Sequence, residues 1–138
     1  MDHLQKPYER FTAWQACHRL ALLVYRITRV FPKSEQYGLV SQMRRAAFSA
    51  AANIAEGSAK RGPAEFRRFL DISIGSLSEL SYATRLASDL EYVDAEQYAR
   101  LGSAVVDASK LTWALYRSMQ HGASPRRLPA GPPARLPV

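Results

Sequence analysis

Residues 42–57 read QMRRAAFSAAANIAEG, and this stretch decides the fold. Met43, Ala47, Ala50 and Ile54 recur at spacings of four, three and four, which is the period of one α-helical face. Half of the remaining side chains are alanine, serine or glycine, so a neighbouring helix can approach closely. The pattern therefore predicts a helix that packs tightly within a bundle, and residues 66–80 carry a second face of this kind.

The same helix is apolar or small almost all the way round. At 100° per residue, Phe48 lies about 180° around the helix from Leu39, which belongs to the core face. A helix that is apolar on more than one side is buried on more than one side, whereas a four-helix monomer buries a single side of each helix. We therefore expect a homo-oligomer. The predicted interface consists of Phe48, Ala51, Ala52 and Ala55.

Four segments with helical periodicity account for most of the chain. They run over residues 12–31, 35–59, 63–90 and 94–121. Long helices with short connections favour an all-α fold, an antiparallel up-down four-helix bundle. The predicted organisation is an N-terminal extension over residues 1–10, the bundle over residues 11–121, and a disordered tail rich in proline and arginine over residues 122–138.

Composition is typical of a globular protein. The 138 residues carry a formal net charge of +7, of which Arg126, Arg127 and Arg135 in the tail contribute three, so the rest of the chain is mildly basic. This excess permits a polyanionic partner without requiring one. Cys17 is the only cysteine, which excludes an intramolecular disulfide and fits a reducing compartment. No apolar run approaches the roughly 18 residues of a membrane span, so we expect a cytoplasmic protein without a membrane partner.

Few groups in the sequence are suited to catalysis or metal binding. None of the three histidines follows a glutamate by three residues, so the Glu-x-x-His pairs of bundle metal centres are missing. Cys17 falls on the apolar face of the first helix and is interpreted as a core residue. We expect no metal, no cofactor, no catalytic residue and no enzymatic activity. An enzyme built on Glu56 and Glu79 is the alternative, and it needs a pocket open to solvent.

A polar strip borders the apolar faces of the second and third helices. Its members step by three or four along each helix, so they share one side of it. We predict a network that fixes helix register, in which Arg45 pairs with Glu56 or Glu79. The network comprises Arg45, Ser49, Asn53, Glu56, Ser76 and Glu79.

Basic residues gather on the first helix and around the turn between the second and third helices. They are either solvated helix faces with salt bridges or a surface that contacts phosphate groups. Phosphate contacts alone are salt-sensitive and nearly blind to sequence, and no motif for reading bases is present. The candidate nucleic-acid-binding residues are Arg19, Arg26, Arg29, Arg44, Lys60, Arg61, Arg67 and Arg68.

Five stretches between about residues 10 and 120 carry a likeness to a known family. They are Phe11-x-x-Trp14-Gln15, Phe31-Pro32-x-x-Glu35-x-Tyr37-Gly38-Leu39-x-x-Gln42-x-Arg44-Arg45-Ala46, Asn53-Ile54-Ala55-Glu56-Gly57, Glu65-Phe66-x-x-Phe69-Leu70 and Gly75-Ser76-Leu77-x-Glu79-Leu80. The chain resembles the small bacterial four-helix-bundle family that includes proteins encoded in intervening sequences of 23S rRNA genes. The accessory variability protein of diversity-generating retroelements belongs to the same superfamily. One departure is a run of alanines near Ala50, where the family usually has an isoleucine.

The resemblance implies an up-down four-helix bundle that assembles as a ring-like homopentamer. It implies little about activity, because the ribosomal-insert proteins have no established one. The retroelement relative binds a reverse transcriptase and nucleic acid through a basic surface. We therefore expect a non-enzymatic homo-oligomer that binds RNA or DNA through basic surfaces. Its partner could instead be a protein that is itself associated with nucleic acid. The alternative is a structural scaffold with a protein partner and no nucleic-acid role.

Overall fold

The computed structural model describes residues 5–122 as four α-helices joined by short connections. The helices are α1 (Thr12–Ile27), α2 (Leu39–Ser58), α3 (Gly62–Asp89) and α4 (Ala95–Gly122). Each helix packs against the next one along the chain, and α4 packs back against α1, which closes an up-down bundle. No β-strand occurs among residues 5–122, and the predicted all-α four-helix bundle is confirmed.

The two predicted terminal segments are only partly covered. Pro7–Arg10 forms a 3-10 turn that leads into α1, and α4 continues to Gly122. Residues 1–4 and 123–138 lie outside the described residues, and so does the predicted disorder of the tail. Within the described range, none of the helices has the length and apolarity that crossing a bilayer requires.

The second helix begins four residues later than the sequence pattern predicts. Lys33–Glu35 forms a 3-10 turn, and α2 starts at Leu39 after Gly38. The Glu35 carboxylate explains the new start, because its Oε1 accepts a hydrogen bond of 3.0 Å from the Leu39 N–H. A carboxylate at this position accepts a hydrogen bond from one of the free N–H groups of the first turn. Its negative charge also interacts favourably with the positive end of the helix dipole.

Helices α2 and α3 meet through small residues. The Ser73 hydroxyl, which is fully buried, donates a hydrogen bond of 2.8 Å to the Ala50 carbonyl across the interface. A Cβ added at Gly57 would lie 2.8 Å from Phe66 Cδ1 and 2.8 Å from Phe69 Cβ. Ala50 and Gly57 therefore lie where these two helices are in close contact.

A capping box defines the start of α4, and the prediction that Cys17 is a core residue is confirmed. Asp94 Oδ1 accepts a hydrogen bond of 2.8 Å from the Gln97 N–H, and Gln97 Oε1 accepts one of 3.0 Å from the Asp94 N–H, which is a capping box at the start of α4. Cys17 is fully buried in the core, 3.8 Å from the Thr112 hydroxyl. Burial raises the pKa of the Cys17 thiol to about 12, so it is inert as a nucleophile at neutral pH.

Candidate interaction surfaces

The two halves of the described chain differ in charge. Residues 5–61, which hold α1 and α2, carry ten lysines and arginines against three acidic residues. Residues 62–122, which hold α3 and α4, carry six against eight. The mild net charge of the whole chain therefore hides a basic α1–α2 half and a slightly acidic α3–α4 half. Charge of one sign on one side of a protein attracts partners of the opposite sign to that side.

An apolar groove of about 490 Å³ runs between α1 and α2, and we call it the α1–α2 groove. It is lined by Tyr8, Trp14, His18, Ala21, Leu22 and Tyr25 on the α1 side and by Phe48, Ala51, Ala52 and Ala55 on the α2 side. No lysine, arginine, aspartate or glutamate lines it. Phe48 is 65% exposed and Leu22 is 50% exposed, so large apolar side chains face solvent here. All four residues of the predicted oligomer interface lie in this groove.

Stacked rings build the α1 wall of the groove. The Trp14 and His18 rings lie 4.8 Å apart and nearly parallel, at 9°. Tyr8, from the 3-10 turn before α1, meets Trp14 edge-on at 5.0 Å. Such pairs hold aromatic side chains in fixed positions, so this wall is formed before any partner binds.

The predicted phosphate-contacting residues divide into free and engaged side chains. Arg19, Arg26 and Arg29 are exposed on or just after α1 and form no ion pair with any residue from 5 to 122. Arg61 is likewise exposed and forms no such pair within that range, whereas Lys60 lies over the Phe69 ring at 5.4 Å.

Three of the predicted arginines have structural contacts. Arg67 is half-buried, and its Nη1 donates to the Met119 carbonyl at 3.4 Å, so it links α3 to α4. Arg68 lies 3.8 Å from the Glu65 carboxylate, an exposed pair that contributes little. Arg44 has the most extensive contacts of the three.

Arg44 joins α2 to the end of α1. Its Nε donates a hydrogen bond of 2.9 Å to the Thr28 hydroxyl, and its Nη2 donates one of 3.3 Å to the Tyr25 carbonyl. The guanidinium also lies 4.6 Å from the centre of the Tyr25 ring. Two nitrogens and one face of the group are thus used within the protein, which leaves Nη1 as the part best placed for a ligand.

The predicted polar network is only partly formed. Ser76 donates a hydrogen bond of 2.7 Å to the Ser49 hydroxyl, and Asn53 Nδ2 donates to the Ser49 carbonyl at 2.8 Å and to its hydroxyl at 3.0 Å. These three side chains bridge α2 and α3 at the edge of their interface.

The predicted ion pairs of that network do not form among the described residues of this chain. Arg45, Glu56 and Glu79 are all exposed, and within residues 5–122 no ion pair joins Arg45 to either carboxylate. The helices approach through alanine and serine, and the charged side chains at the margin extend into water instead of across the interface. Neither Glu56 nor Glu79 lines the α1–α2 groove. The described residues also contain no group of three or more His, Cys, Asp or Glu side chains placed to hold a metal ion.

Residues 9–114 match the sequence model of the family described as 23S rRNA-intervening sequence protein. The chain belongs to this family. A solved structure with the same fold is a protein of unknown function from the S23 ribosomal protein family of Bacteroides thetaiotaomicron VPI-5482. It is 21% identical, with a TM-score of 0.68, and the match covers 76% of this chain and 98% of that chain. A comparison with curated proteins gives no match.

Only one wall of the α1–α2 groove coincides with the predicted interface. The α2 residues of the groove were predicted as an interface, whereas its α1 side was not predicted. A signal was present, since Trp14, His18, Ala21 and Tyr25 recur at spacings of four, three and four. The stripe is offset from the fully buried one and therefore marks a second, partly exposed face.

Proposed function

We propose that the protein is a non-enzymatic, cytoplasmic, homo-oligomeric module that binds RNA through the basic α1–α2 half. The charge difference between the two halves carries this proposal. Arg19, Arg26 and Arg29 are exposed on the basic side without internal carboxylate partners, and Arg61 adds a fourth free cation near the α2–α3 turn. Arginine forks bind phosphate oxygens bidentately, and RNA offers one phosphate per nucleotide.

Contacts of this kind do not read base sequence. Each phosphate that is neutralised releases condensed counterions, so affinity falls linearly with salt on logarithmic axes. A single copy presents few free cations, and its affinity at physiological salt is expected to be low. Several copies in one particle would bind one RNA molecule together and raise the overall affinity by avidity.

The α1–α2 groove supports self-association. An exposed apolar surface that includes a phenylalanine and a leucine is costly in water and is typical of an interaction site. A second copy is the occupant that fits an uncharged lining of rings and alanines. We propose a homopentamer, the assembly that the family resemblance implies, with Phe48, Ala51, Ala52 and Ala55 in the contact.

A salt titration of binding to 23S rRNA fragments tests the function. The intact protein is expected to bind at low salt and to lose affinity steadily as salt rises. Arg26→Ala should weaken binding and lower the salt slope by about one, because one phosphate contact is lost. Arg117→Ala removes an exposed arginine from α4 and is the matched control, with no change expected. Absence of binding by the wild-type oligomer at low salt refutes the proposal.

A protein scaffold is the second candidate, and the groove favours it. An amphipathic helix from another protein buries its apolar face in such a groove as readily as a second copy does. Recovery of the same defined protein partner from nuclease-treated extract by wild-type protein, and its loss with Phe48→Glu, would support the scaffold. If Phe48→Glu binds RNA with wild-type affinity and keeps the wild-type particle mass, the groove is needed neither for RNA binding nor for assembly.

A further inference from the structure

A second pocket adjoins the α1–α2 groove near the start of α2, and we call it the Tyr37 pocket. It has a volume of about 460 Å³ and shares Tyr25 and Phe48 with the groove. Unlike the groove, it is lined by two arginines, Arg44 and Arg45, as well as by rings. Tyr37 is 89% exposed, the largest value among the exposed large hydrophobic residues from 5 to 122. An uncovered ring and two cations therefore share one depression.

The two arginines of the Tyr37 pocket complement each other. Arg44 is fixed before any ligand arrives, because Thr28 and Tyr25 hold its Nε and Nη2. Its Nη1 makes no hydrogen bond to another described residue. Arg45 is exposed and has no carboxylate within ion-pair distance in the described part of the chain. One cation is preorganised, and the other can adjust to the ligand.

No carboxylate of the surrounding segment forms an ion pair with these arginines in the described part of the chain. Glu35 is the only acidic residue between Glu9 and Glu56. Both of its oxygens are already used, since Oε1 accepts from the Leu39 N–H at 3.0 Å and Oε2 accepts from the Tyr92 hydroxyl at 2.9 Å. The two arginines therefore outnumber the one carboxylate of this segment, and neither forms an ion pair within residues 5–122.

We infer that the Tyr37 pocket binds an unpaired nucleotide in a single-stranded segment of RNA, with the base on the Tyr37 ring and a phosphate at Arg44 and Arg45. The inference rests on the proposed RNA-binding function and specifies which form of RNA is preferred. Every base has a π-face that stacks on an aromatic ring, and the face is free only where no duplex neighbour covers it. The pocket thus distinguishes single strands from duplexes, which phosphate contacts by the α1 arginines do not.

Fluorescence anisotropy with a labelled oligouridylate and with an RNA duplex of equal length tests the inference. Tyr37→Ala should weaken single-strand binding about tenfold, because stacking of one base is worth roughly 1–3 kcal/mol and tenfold corresponds to about 1.4 kcal/mol. Duplex binding should stay unchanged. Tyr37→Phe keeps the ring and should keep the affinity. Tyr82→Ala removes a tyrosine that is 66% exposed on α3 and is the matched control.

The outcomes separate this inference from the proposed function. If wild-type protein binds RNA and Tyr37→Ala binds the oligouridylate equally tightly, the Tyr37 pocket is not the site, while the RNA-binding function stands. If wild-type protein binds neither RNA, both proposals fail. Equal losses with Tyr37→Ala and Tyr82→Ala would also overturn the inference, because the loss would not be local. Circular dichroism and light scattering confirm that each variant keeps its helix content and particle mass.

Discussion

Replacing Gly57 by alanine should destabilise the bundle, whereas the same change at Gly75 should stabilise it. The added Cβ at residue 57 would lie 2.8 Å from the ring of Phe66 and 2.8 Å from Phe69 Cβ, which is tied to the α3 backbone. At residue 75 the added Cβ meets no atom within 4 Å. Both variants replace a helical glycine by alanine, and they differ only in whether the new methyl group meets a neighbouring side chain.

The magnitude follows from two opposing terms. Overpacking of a close helix contact costs about 1–3 kcal/mol. Alanine in place of glycine in a helix contributes up to about 1 kcal/mol of stability. Gly57→Ala is therefore expected to lose about 1–2 kcal/mol and Gly75→Ala to gain about 0.5–1 kcal/mol. Gly102, where an added Cβ also has no atom within 4 Å, provides a second control on α4.

Urea unfolding followed by circular dichroism measures these differences. All variants are compared at one protein concentration, because the stability of an oligomer depends on concentration. The midpoint should fall for Gly57→Ala and rise for the two controls, with the slope unchanged. A Gly57→Ala protein as stable as Gly75→Ala would show that α2 and α3 do not meet as closely as described.

Two further changes test individual contacts. Arg44→Ala should lower the free energy of unfolding by about 1–2 kcal/mol, because it removes the hydrogen bond to Thr28 and the stacking on Tyr25. Arg45→Ala should change it by no more than about 0.5 kcal/mol in the same urea assay. Equal losses in the two variants would show that Arg44 is not held more firmly than Arg45. Glu35→Gln addresses pH: two hydrogen bonds, first from the Leu39 N–H and then from the Tyr92 hydroxyl, lower the Glu35 pKa below its usual 4.5. The charged form is thus favoured in the folded state, so its stabilisation is present above pH 4.5 and disappears as pH falls through the lowered pKa. Acid titration of thermal stability should be flatter for Glu35→Gln than for wild type, and identical curves would refute this role.

The helices were predictable because their patterns are long and regular. Stripes such as Met43, Ala47, Ala50 and Ile54 repeat over many turns, and packing rather than local chemistry decides such segments. The start of α2 was not predictable in this way. It depends on Glu35, whose carboxylate reaches the Leu39 N–H and the hydroxyl of a residue 57 positions away in sequence.

The candidate surfaces were harder to predict than the fold. The sequence indicated Phe48 and its alanine neighbours, since a helix that is apolar all round is unusual by itself. It did not indicate that Arg44 would be held by Thr28 while Arg45 stays free, because the two are adjacent and chemically identical. Only the angular position of each residue relative to α1 separates them.

Footprinting of side chains by hydroxyl radicals, on the assembled protein with and without RNA at one protein concentration, tests the central claim most directly. RNA should protect Tyr37 on the basic α1–α2 half, outside the α1–α2 groove. Tyr82 and Tyr98, which are 66% and 37% exposed on α3 and α4, should be labelled equally in both samples. Protection that falls on α3 and α4, or labelling that RNA does not change anywhere, would contradict the assignment of the α1–α2 half as the RNA-binding side.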